Sequence, residues 1–119
     1  MKYIKCFNIT VVFGLLLVSS ALSARDLLGV PYINEVSYPD PTSCLVWVYG
    51  SSESGTKPVC DTLNNRMVFN MCTETGKVWL SIILTHVAQN KSMKIVGAGT
   101  CGLYPTTESV RYLRLNEGG

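Results

Sequence analysis

Apolar and polar positions change period several times along the chain, and each change marks an element. Residues 9–18 form an apolar run, preceded by Lys2 and Lys5 and followed by the small-residue stretch Ser19, Ser20, Ala21, Leu22, Ser23 and Ala24. A basic start, a short apolar centre and a small-residue exit are the pattern of a secretory signal peptide cut after Ser23 or Ala24. The run is about half the roughly 20 apolar residues that span a bilayer, so stable membrane insertion is not expected. Residues 32–38 then alternate as a first strand, which Pro39 and Pro41 stop. Cys44, Leu45, Val46, Trp47, Val48 and Tyr49 read as a second strand. Leu45, Trp47 and Tyr49 fall on one of its faces and Val46 and Val48 on the other, so both faces are apolar. A third strand is expected at residues 57–60 or at 66–71, with Asn64 and Asn65 as a turn between them.

Residues 77–90 are rich in β-branched side chains, yet their period is helical. Lys77, Ser81, Thr85 and Gln89 recur every fourth residue as one polar stripe in apolar surroundings. Such a helix buries more of its circumference than one small sheet covers. It either runs through the middle of the domain or meets another subunit. Residues 93–97 read as a strand after it, residues 97–100 as a permissive stretch and residues 103–107 as a loop. Residues 109–115 read as a last strand whose alternation slips between Tyr112 and Leu113, the mark of a bulge. The expected fold class is mainly β with one helix, an α+β arrangement of strands, helix and strands in one small domain over residues 25–119.

Setting the signal aside changes the charge. The net +2 of the full chain comes from Lys2 and Lys5, and residues 25–119 hold eight Lys or Arg against eight Asp or Glu. A neutral domain has no basic stripe with which to displace counterions from phosphates, so nucleic acid is not an expected partner. It also removes Cys6 and leaves Cys44, Cys60, Cys72 and Cys101, an even set that suits two disulfides in an exported protein. Three pairings are possible. Cys44 and Cys60 flank what reads as a hairpin, and the helix and returning strand between Cys72 and Cys101 bring those two together, so Cys44 with Cys60 and Cys72 with Cys101 is the expected pairing. No short C-x2-C knuckle is present to suggest zinc.

Catalytic chemistry is thinly represented. His86 is the one histidine, set beside the apolar face of the helix, where a packed or interfacial role is the simpler reading. The carboxylates are scattered, with no near-neighbour pair for glycosidase chemistry. Gly97, Ala98 and Gly99 lack the helix start and lysine of a phosphate loop. No enzyme, cofactor or metal is expected. Seven Tyr or Trp follow the signal, at positions 32, 38, 47, 49, 79, 104 and 112. Aromatic faces beside Ser and Thr hydroxyls, which are plentiful around residues 51–56 and 106–109, suit sugars. Trp47, Trp79 and Tyr112 read more simply as core, whereas Tyr104, in a loop beside Pro105, is expected to be exposed. Asn90, Lys91 and Ser92 form a glycosylation sequon, relevant in a eukaryotic source.

The order of parts, with Cys44 to Tyr49 leading through Glu53, Ser54, Gly55 and Thr56 to Cys60, resembles the receptor-binding B subunits of pertussis-type toxins, those of subtilase cytotoxin and typhoid toxin above all. The resemblance covers most of residues 25–119. It implies an OB-like barrel, a homopentameric ring whose pore takes the stripe Lys77, Ser81, Thr85 and Gln89, a toxin A subunit as partner, and sialylated or other host glycans as ligands. Ser37 lies nearest to the glycan-contacting serine of those subunits, and Ser37, Tyr38 and Tyr104 are the candidate glycan contacts. The pairing of Cys72 with Cys101 departs from the late cysteine pair of those toxins. The reading is therefore a secreted lectin-like B subunit, with a small secreted or periplasmic monomeric interaction or inhibitor protein of the same fold as the alternative.

Overall fold

The computed structural model describes residues 25–116 and contains seven strands and one helix. The expected signal peptide lies outside the described residues. In chain order the elements are β1 (Asp26–Leu28), β2 (Tyr32–Asp40), β3 (Ser43–Tyr49), β4 (Ser52–Ser54), β5 (Arg66–Asn70), α1 (Glu74–Gln89), β6 (Lys94–Gly97) and β7 (Val110–Arg114). They build two antiparallel sheets, ordered β4-β1-β6-β7 and β2-β3-β5. A parallel bridge between Val68 and Ser109 ties β5 to the segment entering β7, so the sheets join along one side as a partly open barrel. The fold is thus mainly β with a single helix and two disulfides, as the periodicities predict.

The two-faced apolar pattern of β3 explains its central place. Val46 and Val48 point into the main core with Leu27, Met67, Phe69, Ile83, Met93, Ile95 and Val110, while Leu45 and Trp47 join Val68 in a second cluster on the other face. Each such burial contributes about 1.5–3 kcal/mol. Trp79 packs against the main core at half burial, edge-on to Phe69, whereas Tyr112 is exposed and is not the core residue its position in the last strand suggests.

Several boundaries shift. β2 runs through Pro39 to Asp40, which an edge strand with unpaired N–H positions permits. Of the two expected sites for a third strand, Arg66–Asn70 is the one that pairs, from Tyr49↔Arg66 to Leu45↔Asn70. α1 starts three residues earlier than its stripe indicates, because the Thr73 side chain caps it by accepting from the Gly76 N–H at 2.9 Å. Its end is set by Asn90 in the left-handed region at φ 53°. The last strand has its irregularity one residue early: the register passes from Val96↔Tyr112 to Gly97↔Val110, leaving Arg111 unmatched.

The disulfide pairing is corrected. Cys44 bonds Cys72 across a Cα separation of 5.2 Å, and Cys60 bonds Cys101 across 6.2 Å. The hairpin expected between Cys44 and Cys60 does not form. After Tyr49 the chain crosses to the other sheet as β4, pairing with β1, and carries Cys60 away from Cys44. Cys44 lies instead beside the end of β5, where its carbonyl accepts from the Met71 N–H at 2.8 Å.

α1 does not run through the middle of the domain. Gly76, Ile83 and His86 are its buried residues, while Val78, Leu84 and Val87 are exposed together with Lys77, Ser81, Thr85 and Gln89. The helix seats its first turn closely on β5: a Cβ added at Gly76 would stand 1.9 Å from the Asn70 carbonyl oxygen. Gly76→Ala is therefore expected to destabilise the fold by about 1–3 kcal/mol through forced separation of α1 from β5, against the small gain that alanine brings to an unhindered helix. Urea unfolding of the variant checks this.

Candidate functional site: a serine-lined cleft, an aromatic strip and a buried charge knot

The turn after β1 and the turn into β4 meet in an open cleft of about 640 Å³, lined by Leu28, Gly29, Val30, Ser51, Ser52, Ser92 and Lys94. Antiparallel pairing of Leu28 with Ser52 sets the two walls. The Ser51 N–H and hydroxyl both donate to the Leu28 carbonyl, at 2.9 and 3.1 Å. Gly29 has φ +94°, and a Cβ there would lie 1.7 Å from the Ser51 hydroxyl oxygen, so only glycine leaves that hydroxyl in place. Lys94 stands 3.8 Å from Asp26. The cleft thus offers three hydroxyls and one ammonium against aliphatic walls.

An aromatic strip leads to this cleft along the outer face of the second sheet. Tyr32 pairs with Tyr49 across β2 and β3 and stacks on it, ring centroids 5.1 Å apart, two residues from Val30 and Ser51 respectively. Two residues back on β3, Trp47 meets Tyr104 edge-on at 5.1 Å and directs its indole N–H to Thr107. Tyr32 is 49% exposed and Tyr104 39%, so one ring of each pair faces solvent.

Of the predicted contacts, Tyr104 is exposed as expected, although its edge rests on Trp47. Ser37 pairs with Leu45 and is half-buried, and Tyr38 is exposed near the end of β2. Neither lines the cleft. Sequence reasoning noted Ser51 and Ser52 only among the loop hydroxyls of residues 51–56, and missed Ser92 and Lys94 as site residues. Alternation in Ser52, Glu53 and Ser54 between Gly50 and Gly55 is the one signal that could have marked β4, and it is short enough to read as loop.

Beneath the cleft wall lies the least expected feature. Arg25, first of the described residues, is fully buried. Its guanidinium donates to Glu108 (3.1 Å), Glu53 (3.0 Å) and Asp61 (2.5 Å), and to the carbonyls of Leu63 (3.2 Å) and Arg66 (2.7 Å). The carboxylates are held in turn by backbone N–H groups: Glu53 by Asn65, Asp61 by Leu63 and Glu108, and Glu108 by Gly99. One side chain thereby fastens β4, the loop before β5 and the segment before β7. Burial pushes the Glu108 carboxyl above its ordinary value, and the like charge of Asp61 adds to the push, while the Gly99 N–H and Arg25 pull against it. His86 is also buried, its Nδ1 3.0 Å from the Ile82 carbonyl and its Nε2 without a hydrogen-bond partner, a packed histidine as its setting on the helix suggests.

Among the described residues no helix is long and apolar enough to cross a membrane, and the two disulfides are compatible with a secreted or periplasmic protein. No family model, no curated protein and no solved structure matches the chain.

Proposed function

We propose that this protein is a secreted, non-enzymatic, glycan-binding module that assembles with copies of itself, in the manner of the toxin B subunits it resembles, and delivers a catalytic partner to glycosylated host cells. The observation that carries the glycan reading is the cleft, lined by Ser51, Ser52, Ser92 and Lys94 beside aliphatic walls, with the exposed Tyr32 two residues along the chain from Val30. Hydroxyls and an ammonium hydrogen-bond the polar edge of a sugar, acidic sugars included, while Leu28, Val30 and an aromatic ring take its C–H face. The glycan contacts therefore move from Ser37 and Tyr38 to the cleft, with Tyr104 at the far end of the strip.

Self-assembly is supported by what one copy leaves open. β2 is nine residues long, pairs on one side and exposes Val36 and Tyr38, and the neighbouring α1 exposes Val78, Leu84 and Val87. A long unpaired edge flanked by apolar side chains is a surface that soluble monomers ordinarily blunt. In a ring these groups bury against the next copy. The stripe Lys77, Ser81, Thr85 and Gln89 then remains for a pore.

Two experiments divide the reading. Mass under native conditions at micromolar concentration is expected to give a closed oligomer, five copies by the resemblance; a monomer favours the interaction-protein alternative. Filling the cleft with Ser52→Phe is expected to weaken capture on glycans that the wild type binds by about tenfold or more, with folding unchanged because Ser52 is exposed. Equal capture by variant and wild type would remove the cleft from the account.

A further inference from the structure

We propose that the Arg25 knot is a proton-binding centre through which mild acid tightens the fold, β4 and its cleft wall included. The proposal does not depend on the glycan reading. Its basis is an imbalance of charge in a place largely closed to water, with Glu53 alone of the group partly exposed. Arg25, ahead of β1, meets Glu53 from β4, Asp61 from the loop before β5 and Glu108 from the segment before β7, and the side chains of Arg25, Asp61 and Glu108 are wholly buried. One further cation flanks the group: Arg66 of β5 donates to the Thr107 hydroxyl, next to Glu108. Three carboxylates against Arg25 alone, or against Arg25 and Arg66, leave excess negative charge. Buried charge of one sign binds a proton more readily than the unfolded chain does.

Glu108 is where the proton goes, since its carboxyl lies above its ordinary value of 4.5 on account of burial. The direction of the linkage follows. A group whose folded value is raised gives stability that is complete below the unfolded value and is lost as pH rises through the folded one. Acidification from neutral pH therefore strengthens this fold as Glu108 takes up its proton. With Glu108 neutral, the guanidinium charge is shared between Glu53 and Asp61. Glu53 belongs to β4, so its bond to Arg25 adds to the pairing of that strand with β1, and its neighbour Ser52 lines the cleft.

The test is a carbon-detected NMR titration of the side-chain carboxyls in the folded wild type, with urea unfolding of wild type and Glu108→Gln between about pH 7.5 and about pH 4.5, the ordinary glutamate value. Glu108 is expected to titrate above its ordinary value of 4.5, and the backbone amides of Ser52 and Ser54 to shift with the same midpoint. The wild-type folding constant is expected to rise relative to that of the variant as pH falls over this interval. If Glu108→Gln does not fold, the titration decides alone. Titration of Glu108 at or below its ordinary value, parallel pH dependence of the two proteins, or Ser52 and Ser54 amides blind to the titration would overturn the proposal.

Discussion

Arg25→Ala is expected to lose about 3–5 kcal/mol of stability, the size of effect seen when one partner of a buried ion pair is removed. With a small domain holding roughly 5–15 kcal/mol in total, much of the variant population is then unfolded at ambient temperature. The loss comes from what stays behind. Asp61 and Glu108 remain buried without a cation, and the carbonyls of Leu63 and Arg66 lose a donor. Arg25→Lys is expected to recover little, because a single ammonium cannot span five acceptors that a planar guanidinium reaches with three nitrogens. Urea unfolding followed by fluorescence of Trp47 and Trp79 reads both variants. An Arg25→Ala protein within about 1 kcal/mol of wild type would mean that the knot contributes position without stability.

The disulfides carry the second large effect. Cys60 and Cys101 close 41 residues and Cys44 and Cys72 close 28, spans for which restricting the unfolded chain gives roughly 3–4 kcal/mol each. Replacing Cys60 and Cys101 by alanine is expected to lower stability by that amount. It should also loosen the loop that carries Tyr104, since the bridge joins the two loops together with the Thr62 N–H to Thr106 carbonyl bond at 3.2 Å and the Glu108 N–H to Asp61 bond. Peptide mapping without reduction is expected to recover Cys44 joined to Cys72 and Cys60 joined to Cys101. A Cys44 to Cys60 fragment would contradict the strand crossing from Tyr49 to β4.

What was legible in the chain depended on length of signal. α1 and β3 declare themselves because seven or more residues repeat one period, and the two-faced pattern of β3 correctly puts Val46 and Val48 opposite Leu45 and Trp47. β1 and β4, at three residues each, are too short for a period and take their conformation from pairing with one another. Missing them misplaced Cys60, and with it the disulfide pairing. The site was lost for the same reason, since Ser51 and Ser52 lie at the start of β4 and Leu28 at the end of β1. The knot was illegible for another reason: Arg25, Glu53, Asp61 and Glu108 are separated by up to 83 positions, and only the folded chain brings them together. A neutral charge count concealed that one cation and two carboxylates would be taken inside, with a third at their edge.

The functional account stands most directly on whether the folded, disulfide-bonded protein binds sugars at all. Probing it against an array of immobilised glycans, sialylated and neutral, is expected to give saturable capture on a restricted set, competed by the same free sugars. No capture on any glycan by protein shown to be folded and oligomeric would contradict the lectin reading.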